Sequence, residues 1–149
     1  MTDHLSESYR SWNMSRIKSA DTKPEILVRK YLFGRGFRFR LNGKISKNYY
    51  SSGVLPGKPD IVLAKYRTVI FIHGCFWHHH TKCKRATWPK TNKKYWIPKI
   101  KNNIARDRNN ASALKKLGWN VEIIWECETS CKKLEGVAKK MKILVVRPN

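Results

Sequence analysis

Asp60-Ile61-Val62-Leu63-Ala64 and Thr68-Val69-Ile70-Phe71-Ile72-His73 are two short apolar runs joined by Lys65-Tyr66-Arg67. Both are too short for helices, rich in β-branched residues and bounded by Pro59 and Gly74, so they read as paired strands. Upstream, Thr22-Lys23-Pro24-Glu25 has capping-box form, with proline tolerated in the first turn. Leu27, Val28, Tyr31 and Leu32 follow at helical spacing until Gly34 and Gly36 stop the helix. Phe37 to Leu41 alternates like a strand, and Asn42 to Lys58 reads as a loop or a distorted hairpin. Downstream, Gly74 to Trp96 is irregular and dense in His, Cys and aromatic residues. A long helix is expected from near Pro98 to Gly118, then a buried strand over Val121 to Trp125. A short helix over Lys132 to Lys142 and a final strand over Ile143 to Val146 complete the series. This order predicts an α/β fold with a mixed central sheet flanked by helices. Residues 1–20 lack sustained periodicity and read as a mobile arm ahead of a single domain over residues 21–149.

The chain has 149 residues, 41% of them hydrophobic, which suits one domain with a real core and excludes wholesale disorder. Charge is the outlier: 32 Lys and Arg against 10 Asp and Glu give a net +22. Such self-repulsion calls for a polyanion, and nucleic acid is the commonest one in a cell. An anionic membrane surface fits less well, because no basic amphipathic helix carries an aromatic face to anchor it. No apolar run reaches the ~18 residues of a membrane span, and the N-terminus lacks a signal peptide's apolar stretch. A cytoplasmic location is expected, where the 4 Cys read as metal ligands and not as disulfides.

Asp60 opens a strand whose partner ends in Phe71-Ile72-His73. Metal-dependent nucleases place an aspartate at such a position and a carboxylate-x-Lys on the neighbouring strand, because a hard cation wants oxygen ligands. Here the second carboxylate is missing and His73 stands in the lysine's place; the bland alternative is a turn aspartate and a strand-end polar group. Next comes Gly74-Cys75-Phe76-Trp77-His78-His79-His80-Thr81-Lys82-Cys83. Cys75, His80 and Cys83 have zinc-ligand spacing, and Cys127 can supply a fourth ligand. Thiolates and imidazole select zinc over magnesium, so this site is structural. Cys131 can replace Cys127 and His79 can replace His80 on spacing alone.

Phe76 and Trp77 sit in a polar cluster beside Lys82, Lys84 and Arg85, which suits either insertion between base pairs or core packing. On the long helix, Ile100, Ile104, Ala111, Leu114 and Leu117 form a stripe, and Asp107 falls on it. An inward carboxylate is costly unless paired. An imidazole that it orients as a general base is the preferred partner, and Arg106 or Arg108 the alternative. Glu25 is fully explained by its capping position.

Four blocks in order resemble the very-short-patch mismatch repair endonuclease (Vsr) family. They are Asn13-Met14-Ser15-Arg16-Ile17, Pro59-Asp60, Phe71 to His78, and Ala105-Arg106-Asp107-Arg108 with Trp125-Glu126-Cys127. The resemblance implies a restriction-endonuclease-like core and a monomer that acts in the cytoplasm, on nucleoid DNA, with mismatch-repair proteins as further partners. It implies hydrolysis of the phosphodiester 5′ to the thymine of a T:G mismatch left by deamination of 5-methylcytosine. By the same resemblance, Asp60 and the Ile72 backbone carbonyl bind magnesium, with Glu25 in its water shell. His78 activates water with Asp107 behind it, and His73 lies near the phosphate. Cys75, His80, Cys83 and Cys127 hold zinc. Phe76, Trp77 and Trp96 wedge from the major groove, and Met14 and Ile17 of the arm enter the minor groove. Relative to the family pattern, the Asn42 to Lys58 loop is longer and one extra residue precedes Cys83. Two other functions fit parts of the sequence: a restriction endonuclease of the same fold, and a non-catalytic zinc-dependent nucleic-acid-binding module.

Overall fold

The computed structural model describes residues 6–17 and 20–146. Its centre is a mixed sheet of four strands: β1 (Arg40–Leu41), β2 (Ile61–Leu63), β3 (Thr68–His73) and β4 (Asn120–Trp125), in that spatial order. β1 and β2 pair antiparallel, as do β2 and β3, whereas β3 and β4 run parallel. Two parallel strands need a long crossover, and helix α3 (Lys93–Lys116) supplies it. The remaining helices are α1 (Glu7–Arg16), α2 (Lys23–Gly34) and α4 (Cys131–Val146).

Alternation along the strands divides the core in two. Ile61, Leu63, Ile70 and Ile124 point to one face, where Val28 and Leu32 of α2 meet Leu134, Val137, Ala138 and Met141 of α4. Val62 and Val69 point to the other, against Leu114 of α3, Trp119, Ile45 and Leu55. Both faces are therefore covered, which explains why β2 is buried at every position. The α/β architecture with a mixed, helix-flanked sheet matches the sequence expectation, and it is the restriction-endonuclease-like core.

Four elements differ from that expectation. Residues 7–16 form helix α1, capped by the Ser6 hydroxyl, which accepts from the Tyr9 N–H. Its Arg10 is buried and lies 5.6 Å over the Tyr95 ring, so this part of the arm is anchored on α3; a narrow contact of this kind leaves no apolar periodicity to read. Helix α3 begins at Lys93, so Pro98 stands inside it as the sixth residue, where it gives up one bond to the Lys94 carbonyl and does not mark the helix start. The Phe37 to Leu41 run contributes only two residues to the sheet. Finally, residues 143–146 continue α4 and are not a strand. Leu134, Val137, Ala138 and Met141 already set a helical stripe on the sheet, and that packing overrides the β-branched preference of residues 143–146. The segment between β1 and β2 is a distorted hairpin, bridged at Lys44 and Val54, that buries Ile45 and Leu55 in the second core. Among the described residues no helix is long and apolar enough to cross a membrane.

Candidate active site and metal centre

The strand ends nearest His73 and Trp125 open onto a cleft of about 700 Å³. Its walls carry Glu25, Asp60, His73, His78, Asp107 and Glu126, with Ile17 of the arm and Trp77 at its margins. Four of the chain's 10 carboxylates thus meet in one place on a molecule of net charge +22. Carboxylates gathered in one cleft repel one another and lose hydration, which is costly unless a cation or a proton is taken up.

Asp60 precedes the first residue of β2, and the Ile61–Ile70 register puts it opposite the end of β3. Its Oδ2 accepts from the Ile72 backbone N–H at 2.7 Å, which fixes the carboxylate on the cleft wall. Burial pushes its pKa up to about 6, with Glu25 adding to the rise and the Ile72 N–H opposing it. The Glu25 carboxylate is itself buried. It accepts from the Asp21 N–H at 2.9 Å, the Thr22 hydroxyl at 3.0 Å and Arg29 at 3.1 Å. The expected capping box is not formed, because the Thr22 hydroxyl is turned to the Glu25 carboxylate and caps no helix N–H; these three donors hold Glu25 where its charge reaches Asp60.

His78 and Asp107 are 29 residues apart in sequence, and Nδ1 of the first lies 2.5 Å from Oδ2 of the second. This answers the inward-facing carboxylate on α3: its partner is the imidazole and not Arg106 or Arg108. The His73 ring stacks on His78 with centroids 3.9 Å apart and planes 7° from parallel. Burial first, and the neighbouring His78 second, lower the His73 pKa to about 4, so it is neutral at physiological pH. His73, His78 and Asp107 are close enough to be read as a metal triad. Parallel rings, however, cannot aim two in-plane lone pairs at one ion, so the arrangement suits proton transfer better.

Beside the cleft, one atom from each of Cys75, His80, Cys83 and Cys127 falls within 4.8 Å of the others. The Cys83 and Cys127 sulfurs are 3.9 Å apart, and His80 Nδ1 is 3.6 Å from Cys75 Sγ and 3.3 Å from Cys127 Sγ. Tetrahedral zinc with bonds of about 2.3 Å to sulfur and 2.0 Å to nitrogen spaces its ligands by roughly 3.5–3.8 Å, so the donor set fits that ion. Burial, helped by the neighbouring Cys127 and Cys83 sulfurs, pushes the Cys75 thiol up to about 12, an environment a cation would reverse. Left-handed backbone at His79 and Lys82 folds the loop so that His80, and not His79, faces the cysteines. His79 packs on Trp88 instead, at 4.2 Å. Cys131 is exposed at the start of α4, outside the cluster.

Phe76, Trp77 and Trp96 form a block of rings at mutual distances of 5.3–5.7 Å. Trp96 is only 5% exposed and underpins the other two, which are half-buried at the surface. The Trp77 carbonyl accepts from Asn103 at 3.0 Å, and Lys99 sits 5.5 Å over the Trp77 ring. Just past the end of α1, Ile17 is half-exposed and borders the cleft, with Met14 in the last turn of the helix. Sequence reasoning gave no role to Glu126, whose Oε1 accepts from the Cys75 N–H at 3.0 Å. Only its place directly before Cys127 marked it.

A fixed strand-end aspartate beside a histidine–aspartate pair, in a cationic α/β shell, is the equipment of a DNA endonuclease. The profile of the family described as DNA mismatch endonuclease Vsr matches residues 2–85. Similar proteins include the type II nicking enzyme V.NmeAIP of Neisseria meningitidis, 50% identical over 86% of this chain and 84% of its own length. The type II nicking enzyme V.XorIIP of Xanthomonas oryzae is 45% identical over 87% of this chain and 88% of its own. The DNA mismatch endonuclease Vsr of Escherichia coli is 42% identical over 85% and 75%. The chain belongs to the Vsr family of DNA mismatch endonucleases.

Proposed function

We propose that this endonuclease nicks duplex DNA at a T:G mismatch, hydrolysing the phosphodiester 5′ to the mismatched thymine. The observation that carries the reading is the His78–Asp107 hydrogen bond inside the cleft that also holds Asp60. With Nδ1 tied to the carboxylate, His78 keeps Nε2 free to take a proton from the attacking water. Water oxygen then bonds to phosphorus as the bond to the 3′ oxygen breaks, leaving a 5′-phosphate on the thymine and a 3′-hydroxyl once solvent protonates it. His73, held neutral by burial, donates a hydrogen bond beside the phosphate without adding charge.

The hard oxygen donors fit a divalent ion such as magnesium, held by Asp60 and the Ile72 carbonyl, with Glu25 acting through its water shell. Bound there, such an ion would supply charge neutralisation at the scissile phosphate. Cys75, His80, Cys83 and Cys127 fit a structural zinc that braces the loop carrying Phe76 and Trp77. Those two rings, backed by Trp96, are placed to wedge into the duplex from the major groove while Met14 and Ile17 approach from the minor groove. A T:G wobble opens more easily than a matched pair, so a wedge discriminates by deformation energy as well as by contacts.

Two duplexes identical but for one T:G pair, incubated with the protein and magnesium, test the reading. A single nick 5′ to the thymine is expected. Cleavage of both strands of the matched duplex would instead indicate a restriction enzyme, and tight binding without cleavage a non-catalytic zinc module.

A further inference from the structure

Between the candidate zinc centre and the cleft runs an unbroken series of ring contacts. The His80 ring stacks on Trp125 with centroids 4.2 Å apart and planes 5° from parallel. Trp125 in turn meets His73 at a centroid distance of 5.3 Å, with the planes 72° apart. His73 stacks in turn on His78, and His78 binds Asp107. Trp125 faces His73 across the sheet because the β3–β4 register pairs these two residues at the last rung. The next residue closes the same junction with its backbone and side chain together. Glu126 N–H donates to the His73 carbonyl at 2.9 Å, and its Oε1 accepts from the Cys75 N–H at 3.0 Å.

We infer that Trp125 and Glu126 are positioning residues that transmit the rigidity of the metal-bound loop to the imidazole of His78. Neither touches a reacting atom. His78 lies on an irregular loop, where a catalytic side chain is held less well than on a strand. Its Nδ1 is fixed by Asp107, but a single hydrogen bond leaves the ring free to swing about that contact. A flat ring clamped face-on prevents the swing, and His73 is that ring only if something holds it from behind. Trp125 does so from the sheet, and it is itself clamped by the ligand His80. The loop is thereby locked to the strand ends at its start through Glu126 and at its middle through Trp125. This deepens the proposed function, since it assumes that His78 is the base.

The test is a pair of variants, Trp125→Leu and Trp125→Phe, in the zinc-loaded protein. Three readouts are taken: zinc content, affinity for a T:G duplex, and the single-turnover nicking rate. Displacing a catalytic group by about 1 Å can lower a rate by roughly 100-fold. Trp125→Leu is expected to keep its zinc and bind DNA within about three-fold of the parent while the chemical step slows roughly 10- to 100-fold. Trp125→Phe restores a flat face and should return to within about five-fold of the parent rate. Nitrogen-15 relaxation of the His78 imidazole supplies a readout independent of turnover: the ring should gain mobility in Trp125→Leu and lose that gain in Trp125→Phe. An unchanged rate, or a His78 ring as rigid as in the parent, overturns the inference, as does a rate loss matched by loss of zinc or of binding. If the leucine variant does not fold, Trp125→Met, which keeps bulk without a flat face, takes its place under the same criteria. If the parent protein fails to nick a T:G duplex, the functional reading fails, while the mobility of the His78 ring still judges the brace.

Discussion

Nδ1 of His78 and Oδ2 of Asp107 lie 2.5 Å apart, joining the irregular cysteine- and histidine-rich loop to the crossover helix. A carboxylate acceptor on Nδ1 requires the proton to be there, which sets Nε2 as the basic nitrogen. Asp107→Asn keeps the shape but can present an amide N–H to the same atom and favour the wrong tautomer. The nicking rate should fall by about 1,000-fold or more, with duplex affinity nearly unchanged. Single-turnover kinetics with a binding titration checks this, and a loss below ten-fold would remove Asp107 from the mechanism.

Asp60 should set the response to a divalent cation. Its folded pKa, about 6, is above the ordinary 3.8, so the folded protein binds the extra proton between those values. Stability of the metal-free protein therefore falls as pH rises through that window, by on the order of 3 kcal/mol from this group. A bound cation relieves the penalty, and it competes with the proton. Magnesium should raise the melting temperature more at pH 7.5 than at pH 5. Asp60→Asn should be more stable than the parent without metal at pH 7.5, lose the magnesium response, and fail to nick while still binding DNA. Thermal melts at the two pH values, with and without magnesium, give the answer.

His73 acts with the opposite sign. Burial lowers its folded pKa to about 4 from 6.5, so its contribution is intact above 6.5 and is lost as pH falls toward 4. Replacing it by a ring that cannot be protonated, His73→Phe, should flatten the loss of stability between pH 6.5 and 4. Urea unfolding across that range measures the slope, and an identical slope in both proteins would show that other groups drive acid unfolding.

Much of this arrangement was legible because the chemistry breaks a regular pattern. Asp107 stands on an apolar stripe, and Asp60 opens a wholly apolar strand. The paired central strands, helix α2 and the strand Val121 to Trp125 were equally plain, since alternation and helical spacing report burial directly. Trp125 and Glu126 were invisible as a junction, because a tryptophan ending an apolar run looks like any core aromatic, although the strand lies at the sheet edge and buries only Ile124. Its stacking on His80 depends on the β3–β4 register and on a loop without periodicity. The choice of His80 over His79 likewise rests on left-handed backbone at His79 and Lys82, which neither residue type announces. The final segment misled for a simpler reason: an apolar β-branched run carries the same local preference whether or not a helix already extends into it.

The four-ligand cluster should hold about one zinc per chain, since its spacing already matches a tetrahedral ion. Cys83→Ser and Cys127→Ser are expected to lose the metal and to melt at lower temperature, while Cys131→Ser should keep both. Elemental analysis of the purified variants checks the assignment. Zinc retained in Cys127→Ser but lost in Cys131→Ser would exchange their roles.

Gly57 tests how closely the loop before Asp60 must approach the crossover helix. Its φ is +74°, and a Cβ there would come within 2.7 Å of the Asn110 side chain, with the Asn110 Cβ itself at 2.8 Å. Rotating the amide away therefore cannot clear the contact. Left-handed backbone adds roughly 1–2 kcal/mol for any residue with a Cβ. Gly57→Ala should lose about 2–4 kcal/mol in urea unfolding once the clash is included. Because Gly57 and Lys58 line the cleft just ahead of Asp60, the displaced loop should also slow nicking beyond what the unfolded fraction explains. A variant as stable and as active as the parent would mean that this loop does not pack on α3 as closely as its glycine implies.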